Sequence, residues 1–353
     1  MTVYLTNIGL IFIYAVCLLY KQPNERKKRI FVILATGQWI LLSGLRNINI
    51  GADTIQYSDS FYRTADTAWS VIWRHFVLGY KGGTQGKDFG YSIFEKVCSY
   101  ITKSYQGYLI LVALLFHVSM GYSIYKNSRD PFISFLLYSC LFYAFFAITG
   151  IRQTVATALV VCIGYELIKK KKLLYFIIMI ALATTIHKSA LIFIIFYPIC
   201  HIRVTTDYKR ITLVAIVVSF WFRSQLSALY KKLAGLEEYG VYQNAGANTF
   251  VLLLLLIFIT CYIFSTNLLR EDRHHHFYNA IVLAVFFVPL TYINPSAMRV
   301  VQYFSFFLMF MIPEIIYMLR GKQRASALVM FVLVLTALFI KTSPQPYLFF
   351  WQG

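Results

Sequence analysis

The chain has few charged residues, and acidic residues are especially scarce. Asp, Glu, Lys and Arg together make up 13% of the sequence, whereas 59% is hydrophobic, and Lys and Arg outnumber Asp and Glu by 33 to 14. Such a composition excludes a soluble domain held by a single anchor and is typical of a polytopic membrane protein. The excess of basic residues lies around the hydrophobic runs instead of along one stripe, which argues against nucleic-acid binding.

Cysteine is also scarce, with six in 353 residues. Only Cys98 lies outside the hydrophobic runs, so we expect no disulfide or zinc framework, and we expect the cysteines to act as small hydrophobic residues of the core. The three consecutive histidines 274–276 lie among charged residues and are expected to form solvated surface. The sequence therefore predicts neither a metal site nor a cofactor.

A cleavable signal and an internal repeat are both missing. The apolar run Thr2–Tyr20 is about one bilayer thickness long and is followed by Lys21, so we expect it to remain as the first membrane helix. No segment recurs at a fixed period, which argues against a transporter built from two related halves.

Hydropathy predicts an all-α polytopic membrane protein with about twelve spans. The predicted spans lie near residues 2–20, 30–45, 107–125, 131–149, 153–168, 173–187, 189–202, 211–229, 249–268, 278–297, 300–319 and 325–340. Nineteen of the 33 Lys and Arg fall in six alternate connecting segments, which are Lys21–Arg29, Lys126–Asp130, Lys169–Lys172, Arg203–Arg210, Leu269–Phe277 and Arg320–Arg324. The positive-inside rule places these segments in the cytoplasm and both termini on the outer side.

Two longer segments lie on the predicted outer side. Residues 46–106 form a loop of about sixty residues, in which Trp69–Phe76 and Phe89–Ile101 predict two short interfacial helices that cap a cavity. Residues 230–248 form a second outer loop, whose composition suits either sugar binding or a solvated loop; its polar residues include Tyr239, Tyr242, Gln243, Asn244 and Asn248. We expect residues 1–353 to form a single integral membrane domain.

Four short polar motifs interrupt the hydrophobic runs, each at the predicted outer end of a span. They are Leu45–Thr54, Gly150–Thr154, Ile186–Ser189 and Ala297–Val300. Burying a guanidinium at a membrane edge is unfavourable unless it meets an anion or water, and costs roughly 2.5–3.5 kcal/mol at a helix centre. The basic residues Arg46, Arg152, Lys188 and Arg299 therefore predict a cationic pocket that opens to the outer side.

The first motif carries a candidate acid. Gly51 permits a tight turn that directs the Asp53 carboxylate towards the membrane cavity, and a plain ion pair between Arg46 and Asp53 is the alternative. If a helix begins at Thr54, Tyr57 lies on the same face as Asp53.

The other motifs combine cations with further hydrogen-bonding groups. Gln153 follows Arg152 near a helix start that favours anions, and Tyr303 lies one turn after Arg299. The alternative is that both arginines only extend to the membrane interface. His187 marks a tight outer turn, where it is either a base or an ordinary hydrogen-bonded residue.

The order and spacing of these motifs resemble the EpsG-like branch of the Wzy polysaccharide polymerases. The resemblance covers nearly the whole chain and rests on Arg46…Gly51-Ala52-Asp53-Thr54…Tyr57, Gly150–Gln153, His187–Leu191 and Arg299–Phe304. The family more usually has Gly-Thr-Asp where this chain has Gly51-Ala52-Asp53, so one hydroxyl is missing here. The resemblance implies a GT-C-like fold and polymerisation of O-antigen or exopolysaccharide repeat units on undecaprenyl diphosphate, outside the bacterial cytoplasmic (inner) membrane.

The chemistry of such a reaction fits these residues. Arg46, Arg152, Gln153, Lys188, Arg299 and Tyr303 would bind diphosphate and sugar, because arginine offers permanently charged, forked donors to a leaving diphosphate. Either Asp53 or His187 would take the proton of the acceptor hydroxyl, with Asp53 preferred for its position, and no metal is needed. The expected partners are the lipid-linked oligosaccharide and membrane lipids, with a chain-length regulator and a flippase. The competing functions are a flippase for the lipid-linked sugar and a membrane acyltransferase.

Overall fold

A computed structural model of the protein describes residues 1–20, 24–51, 53–80, 88–234, 248–342 and 345–352, and every regular element in this part is a helix. The helices are α1 Thr2–Leu19, α2 Glu25–Gly44, α3 Thr54–Asp66, α4 Trp69–Tyr80, α5 Phe89–Ile101, α6 Tyr105–Asn127, α7 Pro131–Leu137, α8 Ile151–Thr157, α9 Gly164–Lys169, α10 Leu173–Ile186, α11 Phe196–Cys200, α12 Thr206–Trp221, α13 Arg223–Ala234, α14 Asn248–Ile263, α15 Ser265–Leu268, α16 Asp272–Thr291, α17 Met298–Ser305, α18 Leu308–Met318 and α19 Gly321–Lys341. The prediction of an all-α protein is confirmed.

The connecting helical segments are of other types. Three are π-helical, Tyr138–Phe142, Ala144–Ile148 and Ala158–Ile163, and two are 3-10 helical, Lys188–Ile195 and Pro295–Ala297.

Four of the described helices are long and apolar enough to cross a membrane. They are α1, α6, the continuous run Ile151–Lys169 and α19. Two bent pairs raise the number to six if each pair is one span: Thr206–Trp221 with Arg223–Tyr230, bent by 81°, and Met298–Ser305 with Leu308–Met318, bent by 47°. Shorter apolar helices lie at Pro131–Phe142, Leu173–Ile186, Lys188–Cys200 and Thr249–Ile263. The chain is therefore a multi-pass membrane protein, while twelve spans remain a prediction.

Helix starts follow ordinary capping chemistry. The Asn24 side chain accepts a hydrogen bond from the Lys27 backbone N–H at 2.8 Å, and the Ser104 hydroxyl accepts one from Gly107 at 3.1 Å. Asp130 accepts from the backbone N–H of the second residue of α7, and Pro131 occupies the first position, where no N–H is needed. These local signals explain why the helices begin where they do.

The chain forms two compact units. The first consists of Met1–Lys188 and Leu328–Gly353, and the second of Ser189–Ala327. In the first unit α2 packs along α6, with the ring of Trp39 stacked on His117 and its indole N–H bonded to Ser139 at 3.1 Å. In the second unit α16 is the central helix and packs against α17 and α14.

Residues from near both ends of the chain meet at the C-terminal end of α2. The rings of Tyr4 and Tyr347 lie 5.6 Å apart, and the Tyr347 hydroxyl donates to the carbonyl of Leu42 at 2.7 Å. The backbone N–H of Phe350 donates to the carbonyl of Leu45 at 2.9 Å. Within the first unit, Tyr4, Tyr347 and the start of the 46–106 loop thus lie at the same end.

The 46–106 loop is helical for most of its length. The two predicted helices are present, as α4 and α5, and α3 begins at Thr54 and adds a third. Residues 81–87, which join α4 to α5, lie outside the described residues, as do residues 235–247 of the second outer loop, with Tyr239, Tyr242, Gln243 and Asn244.

The six cysteines are all described, and all are free thiols. Five are buried, as expected of small core residues, but Cys17 is exposed on α1. The expectation of burial was wrong for Cys17 because α1 presents much of its apolar surface outwards, as a helix facing lipid does.

Candidate functional site

A left-handed glycine positions Arg152. Gly150 has φ +64° and precedes α8, where a Cβ would lie 3.1 Å from the ring of Phe145. The backbone N–H of Thr154 donates to the Gly150 carbonyl at 2.9 Å, and the Thr154 hydroxyl donates to Phe146 at 3.1 Å. These bonds fix the first turn of α8 and place Arg152 on it.

The Gly51 turn packs directly against the segment that leads to Gly150. Gly51 has φ +102°, and a Cβ there would lie 2.6 Å from the carbonyl oxygen of Ile148. The hydroxyl of Thr54 donates to the Ile50 carbonyl at 2.7 Å and closes the turn. The first and second polar motifs of the sequence therefore lie side by side, and the predicted tight turn is confirmed.

The third motif meets α5 through another close approach. α10 ends where the backbone N–H of His187 donates to Ala183 at 2.8 Å. Gly90, in the first turn of α5, lies so near this end that an added Cβ would overlap the Thr185 hydroxyl. The absence of a side chain at Gly90 lets Asp88, just before α5, reach His187 and Lys188.

Asp88 joins the second and third motifs. Its Oδ2 lies 3.2 Å from Arg152 Nη1 and 3.3 Å from His187 Nδ1, and its Oδ1 accepts the backbone N–H of Lys188 at 3.1 Å. Asp88 itself has a left-handed backbone, with φ 62°, which is uncommon for a residue other than glycine. We call Asp88, Arg152 and His187 the Asp88 cluster.

The electrostatics of the cluster keep the Asp88 carboxyl ionised. Burial by itself raises the pKa of Asp88, but the hydrogen bond and charge of His187, the charge of Arg152 and the amide of Lys188 together bring this pKa below its usual value. The side chain of Arg152 is 31% exposed, whereas those of Asp88 and His187 are nearly buried. The cluster thus combines a buried carboxylate with a guanidinium that is still partly exposed.

Aromatic rings surround the Arg152 guanidinium. Its central carbon lies 4.9 Å from the centre of the Tyr91 ring and 5.4 Å from that of Tyr57. Tyr91 is held in turn by Tyr108, whose hydroxyl donates to the Tyr91 oxygen at 2.7 Å. Rings in these positions attract and orient a guanidinium.

A second buried carboxyl lies close to the cluster. Glu95, two turns along α5, accepts hydrogen bonds from the hydroxyls of Ser60 at 3.0 Å and Thr64 at 3.1 Å. Burial raises the pKa of Glu95 to about 7, although these two hydroxyls and the charge of Arg152 oppose the rise. Glu95 therefore titrates near neutral pH, beside a permanently charged group.

Arg46 lies elsewhere in the first unit and is almost completely buried. Its guanidinium donates to the backbone carbonyl of Ser43 at the end of α2, and its backbone pairs with Phe349. Four tyrosines lie close enough to interact with it electrostatically: Tyr105, Tyr347, Tyr4 and Tyr108. The ion pair with Asp53 that the sequence left open is not formed among the described residues, and the Asp53 side chain does not cap α3 either.

The last predicted motif belongs to the second unit. Tyr303 is fully buried and its hydroxyl lies 3.1 Å from that of Ser189. Arg299 is half-buried and acts electrostatically on Tyr230. Of the predicted site residues, the structure therefore brings together Arg152, His187 and Lys188. Gln153, the next residue after Arg152, is buried. Arg46 and Asp53 lie outside the Asp88 cluster.

The sequence did not single out Asp88, which holds the cluster together. An acid just before a helix ordinarily caps that helix, and this one does not: α5 has no side-chain capping hydrogen bond from Asp88. The signal in the sequence was thus an Asp at a capping position. Its partners, 64 and 99 positions away, are visible only in the fold.

The family of the chain follows from a match over nearly its whole length. Residues 28–349 match the model of the EpsG family. No curated protein matches the chain, and no solved structure does so.

Proposed function

Because the chain belongs to the EpsG family, a family of Wzy-like polysaccharide polymerases, we propose that it is a membrane glycosyltransferase that moves a growing glycan from a lipid diphosphate carrier onto a lipid-linked repeat unit. The proposed carrier is undecaprenyl diphosphate, and the proposed location is the outer face of the bacterial cytoplasmic membrane. A GT-C-like bundle of about twelve spans with both termini outside completes the proposal.

The observation that carries the proposal is the arrangement of His187. Its Nδ1 faces the ionised Asp88 at 3.3 Å, so in the neutral ring, which is the form that can act as a base, this nitrogen carries the proton. Its Nε2 is buried and has no hydrogen-bond partner among the described residues. A histidine oriented by a carboxylate on one nitrogen, with the other free to accept, is the arrangement that activates a hydroxyl in many transferases and hydrolases.

The proposed reaction uses this free nitrogen. The acceptor hydroxyl gives its proton to Nε2 of His187 while its oxygen forms a bond to the anomeric carbon of the donor. The bond between that carbon and the phosphate oxygen breaks, and the electron pair leaves with the lipid diphosphate. The diphosphate is a good leaving group once its charge is balanced, so the protein has to supply a base and cations.

Arg152 and Lys188 supply the cations in this proposal. One Nη of Arg152 bonds Asp88, and its buried Nε has no partner among the described residues, so donors remain for a diphosphate oxygen. Lys188 follows His187 and is half-buried. Two cationic side chains can stabilise the leaving group without a metal ion, so we propose metal-independent chemistry.

The remaining sequence-based assignments divide between the two units. Asp53 stays the rival base, and Gln153 stays a candidate ligand of the sugar. Arg299 and Tyr303 stay candidate substrate ligands of the second unit. The position of Arg46 against the Ser43 carbonyl favours a structural role over diphosphate binding. Membrane lipids, a chain-length regulator and a flippase are the proposed partners.

Electrophoresis of surface polysaccharide tests the function. In a strain that lacks the gene, the wild-type chain restores a ladder of products, and His187→Gln leaves single-repeat product. The matched control is His75→Gln, because His75 is exposed on α4. If loss of the gene leaves no surface product at all, the protein is instead a flippase. If loss of the gene leaves the ladder unchanged in length, the protein is an acyltransferase.

A further inference from the structure

In the second unit, the turn between α11 and α12 is held tightly against the start of α16. The side-chain amide of Asn279 donates to the carbonyls of Ile199 at 2.8 Å and Ile202 at 2.9 Å. The backbone N–H of Val204 donates to Nδ1 of His275 at 3.2 Å. The backbone on both sides of Cys200 and His201 is therefore fixed by bonds in which those two side chains take no part.

Three metal-binding side chains converge at this junction. The sulfur of Cys200 and one ring nitrogen each of His201 and His276 all lie within 4.8 Å of one another. Cys200 is fully buried and the two histidines are half-buried, with ring centres 5.5 Å apart. Within the described part of the chain, no other set of three His, Cys, Asp or Glu is grouped in this way.

The sequence-based view of the histidines as solvated surface needs correction. His274 is buried, and its Nε2 lies 3.4 Å from a carboxylate oxygen of Glu314. His275 accepts the Val204 N–H, and His276 faces His201. Each of the three consecutive side chains has its own partner, because successive residues of a helix point about 100° apart.

We propose that Cys200, His201 and His276 bind a transition-metal ion of the zinc class. One thiolate and two imidazoles form a mixed sulfur and nitrogen set that suits Zn²⁺ and excludes Ca²⁺ and Mg²⁺, which require oxygen ligands. Around a tetrahedral zinc ion such ligand atoms lie about 3.5 Å apart. Side-chain movements of roughly 1 Å would therefore bring the three ligand atoms to bonding distance from one ion. A water molecule would complete the fourth position.

Binding is balanced by release of one proton. The buried Cys200 thiol loses its proton to solvent when the sulfur bonds the metal, and the two imidazoles bind as neutral groups. Because Cys200 and His201 lie at the end of α11 and His276 lies in α16, the ion would join two helices at their predicted cytoplasmic ends. The site thus has a structural role, separate from the glycosyl transfer proposed for the first unit.

Metal analysis of the purified full-length protein tests the site. The protein carries an affinity tag without histidine, is incubated with Zn²⁺ under reducing conditions, and is freed of excess ion before its zinc content is measured. We expect about one zinc per chain, with the affinity lowered at least about tenfold in Cys200→Ser and in His276→Gln, because even loss of an outer contact to a metal ligand has effects of that size. Cobalt(II) in place of zinc is expected to produce a thiolate charge-transfer band that Cys200→Ser lacks.

His275→Gln is the matched control, since His275 is adjacent to His276 but bonds Val204 instead, and the side-chain oxygen of glutamine can still accept that N–H. It is expected to keep its zinc. A wild-type protein that binds no zinc at micromolar concentration would overturn the proposal, as would equal losses in His275→Gln and His276→Gln with none in Cys200→Ser. If Cys200→Ser does not fold, cobalt(II) bound to the wild type decides, because the thiolate charge-transfer band should appear with cobalt(II) and disappear when zinc replaces it. A wild-type protein that binds cobalt(II) without this band would contradict the site.

Discussion

Arg152 and Arg46 are two arginines of the first unit that look alike in sequence and differ in every contact. Arg152 faces the Asp88 carboxylate and two tyrosine rings, and its side chain is 31% exposed. Arg46 is 3% exposed and donates to the Ser43 carbonyl at the end of α2. The difference lies in the partner: the Arg152 guanidinium is held by a carboxylate and is partly exposed, whereas the Arg46 guanidinium is held by a backbone carbonyl and is buried.

The comparison separates two uses of a cation at a membrane edge. Arg46 compensates the partial negative charge of the carbonyls at the C-terminal end of α2, a contribution to stability that needs no ligand. The Nε of each guanidinium is buried without a hydrogen-bond partner among the described residues, so this atom does not distinguish the two arginines. Arg152 differs in sharing its charge with the Asp88 carboxylate and in being partly exposed, and we propose that it can exchange this anionic partner for another. A polar motif at the end of a span therefore identifies where a cation lies, and only its partners identify what the cation does.

The largest expected effect concerns the Asp88 cluster, to which we assign the proposed chemistry. His187→Gln and Asp88→Asn should each lower polymerisation of purified lipid-linked repeat units by about 100-fold or more, because the base is lost or loses its orientation. His187→Gln should unfold at nearly the wild-type temperature, whereas Asp88→Asn should unfold at a lower temperature, because it leaves Arg152 without its charged partner. Asp53→Asn is measured in the same assay, because Asp53 is the rival base. Near-normal turnover in His187→Gln together with a large loss in Asp53→Asn would show that Asp53 is the base.

The second prediction is that Arg46 matters for stability, whereas Arg152 matters for activity. Arg46→Met should lower the stability of the protein by about 1.5–3 kcal/mol, because a charged hydrogen bond to a buried carbonyl is lost. Arg152→Met should lower activity much more than stability. Thermal unfolding in detergent and polymerisation assays on both variants check this, and the contrast fails if Arg46→Met unfolds normally but is inactive.

A smaller effect is expected when the charge at position 152 is kept. Arg152→Lys should retain folding and lose roughly tenfold in activity, because lysine cannot bond Asp88 and an incoming phosphate with a planar fork. Lys96→Arg is a control, since Lys96 donates to the carbonyl of Ala65 in the same unit without touching the cluster. Equal activity of Arg152→Lys and the wild type would show that only the charge matters.

The smallest effect concerns Glu95, next to Arg152. Its pKa is raised from 4.5 to about 7, so the neutral form is favoured by folding, and this stabilisation is present below pH 4.5 and lost as pH rises through 7. Glu95→Gln lacks this dependence. The melting temperature of Glu95→Gln minus that of the wild type should therefore increase between pH 5 and pH 8. A difference that is constant or that decreases with pH would contradict the raised pKa of Glu95.

The sequence alone was sufficient where local chemistry determines the structure. The turn at Gly51, the helix after Gly150 and the helix Phe89–Ile101 all follow from residues close to one another in the chain. The grouping of Arg152 with His187 was also anticipated, because both lie at ends of spans predicted to face the same side.

The rest depends on contacts between distant residues. Asp88 was missed because its partners lie 64 and 99 positions away, across the close approach that Gly90 permits. The burial of Arg46 depends on Phe349, which no local pattern connects with it. Cys200 looked like an ordinary core cysteine, since hydropathy does not reveal that His276 lies beside it.

The contacts at the end of α2 also have a consequence for how the protein is made. Tyr347 and its partner Leu42 are separated by 305 positions, and Asn47 and Phe349 by 302. Because the ribosome synthesises the chain from its N-terminus, the whole of Ser189–Ala327 is translated before residues 345–352 exist. The backbone pairing of Arg46 with Phe349 therefore forms only after nearly the whole chain has been translated. In a nascent chain stalled near residue 340, the C-terminal end of α2 would lack these contacts and would be open to membrane proteases.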